Sequence, residues 1–191
     1  MADAFEEDRS HVQHATDLSL ELFDQLAEWH GLAEADRELL EAAGLLHNVG
    51  LFVSHASHHL HSEYIIRNSD RLVGYTEAEI EVIAQVARYH RRSGPKPTHR
   101  RFVALDEATQ SRVVWMAGML RVAIALDRTR GGVVSGIQAS VDDEAITIDC
   151  VVESGHDAAV EVFQANDRAN LLAKASKRFV IVRSPGAQLA S

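Results

Sequence analysis

The chain has 191 residues, a formal net charge of −9 and a single cysteine. That length holds one ordinary domain, or one domain with a small appendage. A composition of 46% hydrophobic and 25% charged residues with three prolines excludes long disorder and linker-dominated architectures. The longest apolar stretch, around residues 113–120, is too short to span a bilayer, and the acidic N-terminus does not read as a secretory signal. The lone Cys150 fits a reducing compartment, so the expectation is a cytoplasmic protein without membrane partners.

Helical periodicity runs through residues 9–130. His11, Ala15, Leu18, Leu22, Leu26 and Trp29 recur at three- and four-residue steps and share one stripe, which Gly31 ends. A second helix is expected over 34–47, with Leu39, Leu40, Ala43 and Leu46 apolar, closing at Asn48-Val49-Gly50. A polar, histidine-rich connection leads to a short helix over 59–68. Thr76 and Glu79 form a capping-box pattern that opens a helix carrying Ile80, Ile83, Ala84 and Ala87 to about residue 92. After the loop Ser93-Gly94-Pro95-Lys96-Pro97, the last long helix, 107–130, aligns Val113, Met116, Ala117, Leu120, Ile124 and Asp127. Beyond Gly131-Gly132 the texture turns to strands over 133–141 and 145–152, with a turn at Asp142-Asp143-Glu144. An amphipathic helix over 157–176 and a strand over 179–182 complete the chain.

Eleven histidines are present, five of them between His47 and His61. His11, His47 and His90 each continue a stripe that is otherwise apolar, and Asp127 does the same on the last long helix. A lone inward histidine is most simply a satisfied core residue. Several together, with an inward carboxylate that needs a cation or a hydrogen-bond network, suggest ligands converging from different helices. Charge is uneven as well. Residues 1–60 hold 2 Lys/Arg against 12 Asp/Glu, whereas 61–130 hold 12 against 8. Arg88, Arg91, Arg92, Lys96, Arg100 and Arg101 form a basic cluster with no carboxylate between Glu81 and Asp106. Such a field either holds a polyanion or is an ordinary solvated helix end. Duplex nucleic acid is excluded as a partner, because the acidic remainder would repel its phosphates. Ser54-His55 and Ser57-His58 lack a third triad member, and Cys150, Trp115 and Met116 read as core.

The order His11, His47-Asn48, Asp127 on successive helices resembles the signature of the HD phosphohydrolase superfamily. Longer segments are similar to the C-terminal domain of the exopolyphosphatase and guanosine pentaphosphate phosphatase family. They are Leu46-His47-Asn48-Val49-Gly50 within 45–55, His58-His59-Leu60-His61-Ser62-Glu63 within 58–69, Ala87-Arg88-Tyr89-His90-Arg91, and Leu120 through Arg128. The resemblance continues at Glu161-Val162-Phe163 and Phe179-Val180-Ile181.

It implies a mainly α fold: an HD-like core of about five helices over 1–130, with a small α/β extension over 131–191. It further implies a divalent metal (Mn, Fe, Zn or Mg) held by His11, His47, His61, His90 and Asp127. Asn48 would assist with a neutral oxygen that weakens a hard cation. The basic cluster would bind phosphate. The actin-like domains that cleave phosphate in full-length members have no matching glycine-rich loops here. Two functions therefore stand: a metal-assisted phosphohydrolase acting on polyphosphate or a phosphorylated nucleotide, and a non-catalytic module binding the same ligands. Dimerisation through a second copy is a third reading.

Overall fold

The computed structural model describes the backbone of residues 2–184 and the side chains of residues 9–184, so the acidic side chains of residues 1–8 lie outside the described set. The chain is mainly helical. Helices α1 (Ala2–Gln25), α2 (Ala27–His30), α3 (Glu34–Leu46), α4 (His58–Arg67), α5 (Glu77–Tyr89), α6 (Arg100–Val103) and α7 (Glu107–Leu126) come first, with a 3-10 turn, Val49–Phe52, before α4. Strands β1 (Val134–Val141) and β2 (Ala145–Val152), helices α8 (Ala159–Arg168) and α9 (Asn170–Ser176), and strand β3 (Phe179–Arg183) form the extension. Among the described residues, no helix is long and apolar enough to cross a membrane.

The expected stripes are the buried ones. Ala15, Leu18, Leu22 and Leu26 of the α1 segment pack with Leu40 and Ala43 of α3, Ile83 and Ala87 of α5, and Met116 and Leu120 of α7. At about 25 cal/mol per Å² of apolar area, this burial is the main term holding the helices together. Thr76 caps α5 as its sequence suggests: its hydroxyl accepts from the Glu79 N–H, and the Glu79 carboxylate accepts from the Thr76 N–H at 2.7 Å. Gly31 ends α2 in the left-handed region, at φ 63°.

Two expectations change. Trp29 does not continue the α1 stripe, because the helix breaks at Leu26, where the backbone leaves helical geometry before α2. Its ring is 42% exposed, with the Arg178 guanidinium 4.5 Å above it. The helix expected over 157–176 is two helices that part at Ala169. The break lets α9 lie close on α7, where a Cβ at Gly118 would come within 2.8 Å of the Leu172 nitrogen.

Strands β1 and β2 pair antiparallel across the turn, where the Asp142 carboxylate accepts from the Glu144 and Ala145 N–H groups at 2.8 Å. β3 then joins parallel to β2. Val134, Ile137, Ile146, Ile148, Cys150 and Val182 face inward and belong to the same core as the helices. Burial pushes the Cys150 thiol up to about 12, which makes it an inert hydrophobe. Side chains cover both sheet edges. Gln25 and Glu21 of α1 bond β1 at Ile137 and Ala139, and Asn166 of α8 bonds the Val182 N–H and carbonyl.

Candidate functional site

His47, His90 and Asp127 are the residues that end α3, α5 and α7. A helix end leaves carbonyls without intrahelical partners. His47 turns back and donates through Nδ1 to the Gly44 carbonyl, and His90 does the same to Ala87, both at 2.6 Å. Each ring is thereby fixed with its lone pair on Nε2. His11, from the middle of α1, donates through Nδ1 to Asp127 Oδ2 at 2.7 Å, and Asp127 Oδ1 accepts from the Gly132 N–H at 2.9 Å. Burial pushes the Asp127 carboxyl up, but the bonds from His11 and Gly132 outweigh it and hold the group below its usual range. His14, one turn along α1, bonds the Val134 carbonyl and ties β1 to the helix.

The imidazoles form a chain. His11 and His47 lie with ring centroids 6.3 Å apart, His47 and His90 4.9 Å apart, and His90 stacks on His58 at 5.2 Å. Arg91 donates to His58 Nδ1 at 2.8 Å, so the His58 proton sits on Nε2 and is shared with His90 Nε2, 3.1 Å away. Burial lowers His47 to about 4 and His90 well below its ordinary value, and neighbouring imidazoles add to both shifts. These two rings are neutral at pH 7. The Nε2 of His47 is buried with no hydrogen-bond partner.

This chain borders a cavity of about 580 Å³. Six arginines line it: Arg91 and Arg92 after α5, Arg121 on α7, Arg128 and Arg130 after α7, and Arg168 on α8. Asn48, Leu51, His55, Ile124, Ala125 and Gln164 complete the wall, and among the described residues no Asp or Glu lines it. Arg121 is 3% exposed. Its Nη2 donates to the Arg92 carbonyl at 2.8 Å, while Nε and Nη1 are buried without partners. Burial, with the Arg168 charge beside it, pulls its pKa below the ordinary guanidinium value. Arg92 and Arg130 adopt left-handed backbone, at φ 62° and 59°. Each such non-glycine residue costs on the order of 1–3 kcal/mol, a strain that concentrates at functional sites.

The structure thus brings His11, His47, Asn48, His90 and Asp127 together, along with Arg91 and Arg92. It does not bring His61 to the cavity; His58, one turn earlier on α4, takes that place. The reason is Gly50, whose backbone lies against the His58 carbonyl, the Ser62 nitrogen and His61, so that the first turn of α4 faces the cavity. Ser62 secures the approach by accepting from the Gly50 N–H and donating to the His47 carbonyl. The basic cluster divides. Arg88, Arg100 and Arg101 line a separate cleft of about 400 Å³, and Lys96 lines neither concavity. Sequence reasoning missed His55, His58, Arg121, Arg128, Arg130, Gln164 and Arg168. One signal was available: a charged Arg121 inside the apolar run of α7.

Among the described residues, no three His, Cys, Asp or Glu side chains come together as a group able to hold a metal ion. The charge agrees with that geometry. The inward carboxylate, Asp127, has both oxygens engaged, and the guanidiniums would repel a divalent cation. The donor set therefore does not fit the expected metal.

Comparison with known proteins gives consistent matches. Residues 1–166 match the family described as Ppx/GppA phosphatase, domain III. A guanosine-5'-triphosphate,3'-diphosphate pyrophosphatase of Aeromonas salmonicida is 27% identical over 143 residues, covering 74% of this chain and 28% of that protein. A protein of the same name from Aeromonas hydrophila is 28% identical over 145 residues, again 74% and 28%. A third, from Pseudoalteromonas translucida, is 26% identical over 148 residues, 76% and 29%. The chain thus spans under a third of the length of these relatives.

Proposed function

The chain belongs to the Ppx/GppA phosphatase family as its domain III, and from that premise we propose that its arginine-lined cavity is a non-catalytic binding site for a condensed phosphate. The ligand is a polyphosphate segment or the phosphates of a guanosine polyphosphate. The observation that carries this reading is Arg121, a guanidinium 3% exposed with two nitrogens unpartnered at a wall that has no carboxylate among the described residues. An unsatisfied buried charge is costly, and an anion seated against it removes that cost. Guanidinium forks match phosphate oxygens in pairs, and a partly enclosed wall strengthens each contact. His47 Nε2, an acceptor without a donor, suits a protonated phosphate oxygen. The relatives' names supply the nucleotide form of the ligand, since a guanosine triphosphate diphosphate carries the same charge in two short runs.

The experiment is calorimetric titration with tripolyphosphate and with guanosine tetraphosphate at several salt concentrations. Affinity is expected to fall steeply with salt, as each neutralised phosphate releases counterions. Absence of binding at low salt refutes the reading. Elemental analysis after supplying Mn²⁺ or Fe²⁺ tests the metal-assisted phosphohydrolase in parallel: a stoichiometric bound metal, with phosphate release, moves the assignment to that enzyme.

A further inference from the structure

The second concavity is separate from the histidine cavity, lies between α4, α5 and α6, and holds about 400 Å³, within the roughly 300–1,000 Å³ of small-molecule sites. Its inner wall is a closed ion network. Glu63, 5% exposed, accepts from Arg88 and from Arg67 Nη2 at 3.1 Å, while Arg67 binds Glu81 in a fork at 2.7 Å. Two carboxylates thereby neutralise two guanidiniums, and the wall carries no net charge. Gln85, 1% exposed, donates to Glu81 at 2.8 Å, which fixes its amide orientation. Its Oε1 is left buried without a donor.

The rim differs in character. Arg100 and Arg101 are exposed and make no ion pair or side-chain hydrogen bond with described residues. Their position is set by His99, whose Nδ1 accepts from the Tyr89 hydroxyl at 2.9 Å and from the Lys96 N–H at 3.3 Å. Tyr64 and Leu60 of α4 also line the cleft and remain 67% and 40% exposed, alongside the buried Phe102. The cleft therefore offers two cations that make no ion pair with described residues, an exposed aromatic face and an amide oxygen that lacks an N–H.

We infer that this cleft binds a nucleoside phosphate. The phosphate sits on Arg100 and Arg101, the base lies against Tyr64, and an N–H of the base faces Gln85. The site is independent of the histidine cavity, so it stands whether or not that cavity binds condensed phosphate.

The test is amide-resolved NMR titration of the whole chain with GMP, AMP and UMP, with ribose 5-phosphate and inorganic phosphate as probes lacking a base. Nucleotides are expected to shift resonances in residues 60–67, 85–88 and 98–102. Ribose 5-phosphate should bind more weakly. The three bases rank how well each N–H edge suits Gln85. Replacing Arg100 and Arg101 together with Ala should weaken both classes of probe. Tyr64→Ala should weaken nucleotides at least about fivefold, the lower end for a stacked base, and leave ribose 5-phosphate unchanged. All three residues are exposed, so these variants keep the fold, as circular dichroism will verify. Equal binding of inorganic phosphate and nucleotides overturns the assignment. So do shifts confined to residues 47–58 and 121–130, or no shifts at millimolar nucleotide in low salt.

Discussion

Replacing Arg121 with Met separates a binding residue from a structural one, because the two roles predict opposite changes in stability. In the free protein Arg121 has two unpartnered nitrogens and one bond, from Nη2 to the Arg92 carbonyl at 2.8 Å. Each buried donor left unsatisfied costs about 1–3 kcal/mol, and a hydrogen bond from a charged group returns about 2 kcal/mol. The Arg121→Met protein, which keeps the length and apolar stem of the side chain, should therefore gain about 2 kcal/mol. For a chain of this size that raises Tm by roughly 4–8 °C. Binding should move the other way, since truncating one partner of a buried charge pair costs about 2–5 kcal/mol, a loss of affinity of about thirtyfold or more. Differential scanning calorimetry without ligand and titration with tripolyphosphate measure both quantities on one preparation. A lower Tm with unchanged affinity would show that Arg121 serves the fold, by holding the left-handed Arg92, and would remove the main support for an anion site.

Asn48→Asp places a carboxylate on the cavity wall; it should lower tripolyphosphate affinity about tenfold without recruiting metal, as one repelling charge is added, and stoichiometric Mn²⁺ with phosphatase turnover would contradict this. Acid should destabilise the protein through its buried imidazoles. His47 falls from an ordinary 6.5 to about 4 and His90 falls further, so their contribution is complete above about pH 6.5 and is lost as pH drops through the folded values. For His47 alone this amounts to roughly 3 kcal/mol, and a melting temperature flat from pH 7 to pH 4.5 would refute it. Gly50→Ala drives a Cβ into the His58 carbonyl and the Ser62 nitrogen; the variant should lose about 1–3 kcal/mol, typical of overpacking, and displace His58 from the cavity. Thermal melts and the His58 imidazole NMR signals report both effects.

Much of the helical core could be read from spacing alone. The stripes of α1, α3 and α5 each bury one face, and period 3.6 marks such a face directly. The candidate site was legible only in part, for a related reason. Helix α7 is buried nearly all round, from Val113 and Trp115 through Met119, Leu120, Arg121 and Val122. A helix without a polar side gives no stripe contrast, so Arg121 showed only as a charge within an apolar run. Arg128, Arg130 and Arg168 were hidden differently. They reach the cavity because α7 ends at Leu126 and α8 returns across it, a tertiary convergence no local pattern records. The exchange of His61 for His58 has the same origin, since it depends on how closely Gly50 lets the 3-10 turn approach α4.

The meeting of three helix ends raises the question of which sign of charge this cavity favours. The C-termini of α3, α5 and α7 border it, through His47, His90 and the Ile124, Ala125 and Arg128 end of α7. Each C-terminus acts as roughly −0.5 of a charge, about −1.5 in total, a field that by itself draws cations. The neutral His47 imidazole, with its Nε2 lone pair unpartnered, would add to that preference. Against this stand six guanidiniums, of which Arg168 has the Asp167 carboxylate beside it at 3.3 Å. Even with Arg168 and Arg130 set aside, four unit charges exceed the dipole contribution more than twofold. A divalent ion entering from solvent meets net repulsion, whereas an oligophosphate meets attraction along its whole length. Asp127 does not restore the balance, because its charge is held by His11 and the Gly132 N–H, where it fixes α1 against the end of α7. A frame of histidines at helix ends is thus the skeleton of a cation site, and its arginines reverse the sign.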